Sequence, residues 1–263
     1  MKFLLYLAIL PSVIIGYLIY RLDKVEKEPV IELIKALFLG VGSAVLAIFL
    51  SYLFGIIKIE VSNVTTFPGL FCYAIIGVAL VEEGCKWLCT FLLLRKNKNY
   101  NYLFDGIVYA VFVSLGFATI ENIIYSLMGG LESIIIRDVL TVPAHAFFGV
   151  FMGYYLSFAK SSKLQKKEKE AHTFLFLSIM IPILLHGFFD FLLLSQESFF
   201  LFIFFLFIIC LYTISIRQIR LLMKMERPFL KKEYCNQCGS KVSGAFCSIC
   251  GKKLENEEEE TSI

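Results

Sequence analysis

The chain has 263 residues, of which 58% are hydrophobic and only 18% charged, with 27 Phe, a mean hydropathy of +0.76 and a net charge of +3. That composition excludes a water-soluble globular domain and predicts an all-α, polytopic membrane helix bundle whose solvent is the lipid bilayer. No nucleic-acid partner is expected.

Since ~20 apolar residues cross the hydrocarbon core, seven transmembrane helices are predicted, at about 3–20, 30–57, 68–94, 103–128, 135–159, 172–194 and 198–216. The first run has one lysine before it, basic residues after it and no small-residue cleavage site, so it reads as a retained helix bent near Pro11 and not as a secretory signal. Alternate connections carry Arg21, Lys24 and Lys27; Arg95, Lys96 and Lys98; Lys160, Lys163, Lys166, Lys167 and Lys169; then the basic run from Arg217 to Lys232. The opposite side has only Lys2, Lys58 and Arg137. The positive-inside rule therefore predicts an extracytoplasmic N-terminus and a cytoplasmic C-terminus. Asn63-Val64-Thr65 fits a glycosylation sequon on the outer side.

The third helix carries Glu82, Glu83 and Lys86, with the lysine four and three residues after the two glutamates, so that its ammonium can reach either. Two adjacent carboxylates sharing one lysine can hold a base and an acid at one pH. Glu121 lies on the fourth helix, beside a stripe of Gly106, Ala110, Ser114, Ala118 and Asn122 at four-residue spacing that would admit a neighbouring helix. On the fifth, His145 is followed by Gly149 and Gly153 at the same spacing. His186 and Asp190, one turn apart on the sixth after Pro182, suggest an orienting imidazole–carboxylate pair. A charged group at the bilayer centre costs roughly 2.5 to 3.5 kcal/mol, so such residues are retained only if they face one another or water. These seven residues are expected to converge on one wet pocket opening toward the outer face. Cys72, Cys85, Cys89 and Cys210 read as small packing residues.

Composition divides the chain into a membrane domain at 1–217, a basic connector at 218–232, a zinc ribbon at 233–254 and an acidic, disordered tail at 255–263. In the ribbon, Cys235, Cys238, Cys247 and Cys250 form two Cys-x-x-Cys knuckles, each followed by glycine, that suit a small cytoplasmic site for structural Zn²⁺. Disulfides are disfavoured on a reducing side of the membrane. The ribbon is a candidate docking point for a cytoplasmic protein.

Glu82-Glu83-x-x-Lys86, Phe117-Ala118-Thr119-x-Glu121-Asn122, Pro143-Ala144-His145 and His186-Gly187-x-x-Asp190-Phe191 together resemble the PrsW family of intramembrane proteases, related to the CAAX prenyl endopeptidase and Abi membrane proteins. CAAX-type members instead look like Glu-Glu-x-x-x-Arg with a histidine where Glu121 stands, which places this chain nearer PrsW. The resemblance implies cleavage of a membrane-anchored protein.

The expected chemistry is peptide-bond hydrolysis by a water activated by Glu82 or Glu83, with His145 or His186 positioning it or polarising the carbonyl, and Lys86 holding the second carboxylate ionised. A metal version uses two imidazoles with Glu82, Glu83 or Glu121 as ligands of Zn²⁺. It ranks slightly lower here because the chain lacks a His-Glu-x-x-His motif. Two competing readings are an ion- or proton-coupled transporter built on the same groups, and a membrane anchor for a working ribbon.

Overall fold

A computed structural model describes residues 2–56, 64, 66–195, 197–225 and 229. All of its regular elements are helical: α1 (Lys2–Leu22), α2 (Val30–Leu53), α3 (Phe67–Cys72), a π-helical segment (Tyr73–Ala79), α4 (Leu80–Lys96), α5 (Asp105–Ile136), a second π-helical segment (Arg137–Thr141), α6 (Val142–Leu164), α7 (Glu168–Leu194) and α8 (Ser198–Lys224). The expected all-α membrane bundle is what forms. The sequon residues Asn63 and Thr65 and the ribbon cysteines Cys235, Cys238, Cys247 and Cys250 lie outside the described residues. Contacts divide the chain into units at 1–227 and 228–263, and α1 to α8 all belong to the first.

Among the described residues, six helical runs are long and apolar enough to cross a membrane. One of them, Asp105–Leu164, spans 60 residues, or about 90 Å if straight, three times the hydrocarbon thickness. It is not straight: Gly130 adopts φ 68° and ψ −154°, a conformation open to glycine and strained for other residues. The chain reverses there, and α6 folds back against α5. A Cβ on Gly153 would lie 2.2 Å from the Gly106 carbonyl oxygen, one on Gly149 would lie 3.0 Å from that of Ala110, and Ser157 donates to Leu103 O at 2.6 Å. Each pair is nearly symmetric about residue 130. The small stripe of α5 and the glycine face of α6 thus meet backbone to backbone, as the spacing predicts, so the 60-residue run consists of two helices packed against each other.

Van der Waals packing, not water exclusion, joins helices in lipid, and small residues permit the closest approach. A second such contact joins α2 to α5, where a Cβ on Gly40 would fall 2.0 Å from Val113 O and one on Gly116 2.0 Å from Leu37 O. Gripped on two sides, α5 is buried almost continuously from Asp105 to Ala118 and forms the centre of the bundle. Large side chains such as Phe38, Phe49, Phe199 and Phe202 point outward, as lipid-facing positions require.

Three local features aim the site. Thr66 caps α3 by accepting from Gly69 N at 3.2 Å, with Pro68 in the first turn, fixing where the third crossing begins. The π-helical turns at Tyr73–Ala79 rotate the start of α4, and with it Glu82 and Glu83, away from the direction a continuous α-helix would give them. Gly187 then lets α7 touch that segment, since a Cβ there would lie 2.5 Å from Ile75 Cγ1, and this seats His186 beside α4. Both α1 and α7 run unbroken through Pro11 and Pro182, so no interruption occurs at either proline. Cys85 is buried, whereas Cys72 and Cys210 are exposed on the bundle surface and do not pack as expected.

Candidate active site in the helix bundle

Seven predicted site residues from α4, α5, α6 and α7 come together in one connected cluster. At its centre is Lys86, fully buried, whose Nζ lies 2.7 Å from Glu83 Oε1, 3.0 Å from His145 Nδ1 and 3.7 Å from Glu82 Oε2. The ammonium also sits 3.9 Å above the Phe117 ring, a cation–π contact that helps hold a charge removed from water. Glu83 is fully buried as well and serves two partners through one oxygen, because His186 Nδ1 donates to Glu83 Oε1 at 2.9 Å.

These bonds assign the histidine protons. An ammonium can only donate, so His145 accepts from Lys86 at Nδ1 and presents Nε2–H to Glu121 Oε2, 2.8 Å away. His186 donates from Nδ1 to a carboxylate, which turns Nε2 toward Asp190 Oδ2 at 3.4 Å and Glu82 Oε2 at 4.0 Å. The two imidazoles stand edge to face, with centroids 5.1 Å apart, and Phe148 stacks on His186 at 5.0 Å. Packing and second hydrogen bonds therefore fix both rings.

The expected His186–Asp190 pair is corrected in emphasis. The closer carboxylate partner of His186 is Glu83, across the helix interface, while Asp190, one turn along the same helix, is the looser neighbour. Sequence spacing reports only neighbours within a helix, so the inter-helix partner was invisible. Arg137 was missed for a related reason, having been counted only as a topology charge. Its Nη2 lies 3.0 Å from Glu121 Oε2, an ion pair off the line of a hydrogen bond, and its Nε donates to Asn122 Oδ1 at 3.3 Å. Asn122 in turn donates to Ala8 O and Asp138 Oδ1, at 3.1 and 2.7 Å, tying Glu121 and its support to α1 and the second π-helical segment.

A cavity of about 430 Å³ opens beside the cluster, bounded by α2, the first π-helical segment, α4 and α5. Glu82 and Glu121 are its acidic lining residues; the walls are mainly apolar, with Ala44, Ala47, Gly77 and Val78 among them and Tyr73 and Tyr125 adding hydroxyls. Glu121 is committed to His145 and Arg137, whereas Glu82 Oε2 is buried with no hydrogen-bond partner. Glu82 is thus the carboxylate placed to meet something entering from the cavity.

The donor set also suits a metal. Glu82, His145 and His186 each offer a ligand atom, all within 4.8 Å of one another, and two imidazoles with one carboxylate are the ligands of well-known catalytic zinc sites. Glu83 on His186 and Glu121 on His145 supply the outer carboxylates that such ligands commonly have.

Comparison with known proteins agrees with this geometry. Residues 28–214 match the family model described as PrsW family intramembrane metalloprotease, a stretch that takes in all four helices of the cluster. Among curated relatives, Protease PrsW of Clostridioides difficile (strain 630) is 36% identical over 82% of this chain and 90% of its own length. Protease PrsW of Oceanobacillus iheyensis is 35% identical, covering 73% and 83% respectively, and that of Bacillus subtilis (strain 168) is 34% identical, covering 72% and 82%. No solved structure matches the chain.

Proposed function

This chain belongs to the PrsW family of intramembrane proteases, and from that premise we propose that Glu82, Glu83, Lys86, Glu121, His145, His186 and Asp190 are the residues with which it hydrolyses a peptide bond of a membrane-anchored protein. The observation that carries the reading is convergence: four helices bring buried carboxylates and imidazoles into one hydrogen-bonded cluster, with Glu82 and Glu121 lining a cavity beside it, an arrangement that a lipid-embedded fold has no structural need for. Family membership favours hydrolysis over the transporter alternative, which has no support among the relatives.

Glu82, His145 and His186 would hold a divalent metal. Such an ion supplies a Lewis acid that brings the pKa of water to about 7 and polarises a carbonyl. The protein's own contributions are distinct. Glu83 fixes the His186 ring and balances Lys86; Glu121, itself held by Arg137, fixes His145; Glu82 faces the cavity, where the substrate backbone would lie. The largely apolar cavity wall excludes bulk water, so that charges at the reacting carbonyl are felt strongly.

A metal-free reading keeps one specific observation on its side. Lys86 Nζ already lies among these donors, 3.0 Å from His145 Nδ1 and 3.7 Å from Glu82 Oε2, as a resident cation. There Glu82 takes the proton of the attacking water and Lys86 stabilises the resulting charge. The test uses full-length protein with Cys235, Cys238, Cys247 and Cys250 replaced by serine, cutting a single-span substrate in liposomes before and after chelation. Loss of cleavage that returns with zinc supports the metal reading, and cleavage that survives chelation supports the lysine. If His145→Ala and His186→Ala cut as well as wild type, the assignment of this cluster fails altogether.

The four cysteines are assigned to a structural zinc ribbon, the helices to an orientation with the C-terminus in the cytoplasm, and the ribbon to a contact with a cytoplasmic protein. These assignments rest on the Cys-x-x-Cys spacing and the distribution of Lys and Arg. The departure from the Glu-Glu-x-x-x-Arg pattern argues against prenylated substrates.

A further inference from the structure

A second cavity, of about 420 Å³, lies where α4 ends, α6 ends and α7 begins. It is separate from the active site. Along α4, Arg95 is nine residues beyond Lys86, and along α7, His172 is fourteen before His186, which at 1.5 Å per residue places the cavity roughly 13 to 21 Å away. Its mouth carries Arg95, Lys160, Lys163 and His172, against the single carboxylate of Glu168. Deeper in, Phe91, Leu94, Leu156 and Leu175 make the walls apolar.

The basic groups are not all consumed by the fold. Lys160 donates to Tyr100 O and sits 3.8 Å over the Tyr100 ring, so it is part of the wall. Arg95 rests 5.7 Å over Phe91, and neither it nor Lys163 makes an ion pair among the described residues. Further lysines crowd the same end on both adjoining connections: Lys96 and Lys98, and Lys166, Lys167 and Lys169. Because the cavity is at helix ends, its mouth is at headgroup level while its walls continue into the acyl region. Cationic groups above an apolar slot between spanning helices match one ligand class, a phosphate ester with hydrocarbon chains attached.

We propose that this cavity binds the headgroup of an anionic phospholipid, with Arg95 and Lys163 contacting the phosphate and a chain lying against Phe91 and Leu156. The single tryptophan makes the idea measurable, because Trp87 stacks on Phe91 with centroids 4.9 Å apart. Full-length protein would be reconstituted into vesicles in which brominated phosphatidylglycerol or brominated phosphatidylcholine is titrated into an unlabelled phosphatidylcholine background, and Trp87 quenching read. Brominated phosphatidylglycerol is expected to quench at clearly lower mole fraction. A basic group near an anionic headgroup is worth about fivefold in partition, so Arg95→Gln with Lys163→Gln, which removes two, should reduce that preference by about fivefold to about 25-fold. Quenching by brominated phosphatidylcholine should stay as in wild type, which checks the fold. Equal quenching by the two lipids in wild type, or a loss under twofold in the double variant, overturns the proposal. Relief of quenching by excess inorganic phosphate would reassign the cavity to a soluble anion and likewise overturn it. None of these readouts depends on proteolysis.

Discussion

Replacing Gly153 by alanine adds one methyl group to the tightest contact between α5 and α6. Its Cβ would sit 2.2 Å from Gly106 O, 2.5 Å from Gly106 C and 2.6 Å from Ile107 Cα, all backbone atoms that no rotamer change can move aside. To reach an ordinary contact the helices must separate by about 1 Å, and overpacking of this kind typically costs 1 to 3 kcal/mol. The damage should extend to chemistry. His145 and Glu121, on the two helices being pushed apart, are joined at 2.8 Å, and a displacement of about 1 Å at reacting groups can cost on the order of a hundredfold in rate. Gly84→Ala is the matched control: it lies beside Glu83, yet a Cβ there meets nothing within 4 Å, so it should gain roughly 0.5 to 1 kcal/mol from helix propensity. Unfolding in mixed detergent micelles and cleavage in liposomes would be measured for both variants. If Gly153→Ala is as stable and active as Gly84→Ala, the close-packed α5–α6 seam is not what positions the site.

Glu83→Gln should cost about 3 to 5 kcal/mol, because it leaves the buried Lys86 ammonium without its carboxylate; adding Lys86→Met should recover most of that stability in the same unfolding assay, and a double variant no more stable than the single one would contradict the pairing. Arg137→Gln frees Glu121 of its ion pair, and cleavage should fall roughly ten- to a hundredfold, the range for residues that orient a site histidine through a second group, with Arg137→Lys intermediate. Outside the spans, burial is the main cause pushing the Glu28 carboxyl up from 4.5 to about 7, and nearby Asp23 adds to it. The folded form therefore holds this proton longer than the unfolded chain, so stability should decline between about pH 4.5 and pH 7 and then level off. Glu28→Gln should flatten that part of a melting-temperature profile; an unchanged slope would assign it to other groups.

Much of the site was legible because lipid makes every buried charge expensive, which singles out Glu82, Glu83, Lys86, Glu121, His145, His186 and Asp190 against an apolar background. The stripe of Gly106, Ala110 and Ser114 and the glycines after His145 likewise announced the α5–α6 seam. What stayed hidden depends on relations between helices. No periodicity specifies that Glu83 reaches His186, or that Arg137 returns across the Gly130 reversal to Glu121. The π-helical turns before Glu82 follow five-residue bonding, which leaves no distinct hydrophobic pattern to read. The Gly40–Gly116 contact is only half legible: Gly40 sits in a stripe with Ala36 and Ala44 at four-residue spacing on α2, but Gly116 is flanked at that spacing by Phe112 and Ile120, so nothing in the pattern names it as the partner.

The central claim is that this buried cluster performs hydrolysis, and Glu82 is where it is most exposed to test. Its carboxylate has only long contacts, at 3.7 and 4.0 Å, and an unpartnered oxygen beside the cavity, so Glu82→Gln should disturb the fold little. Purified wild type and Glu82→Gln would be compared for cleavage of a single-span protein in liposomes, with unfolding followed in parallel. The account predicts a loss of at least about a hundredfold in cleavage with unfolding essentially unchanged. Cleavage by Glu82→Gln within a few-fold of wild type would contradict it.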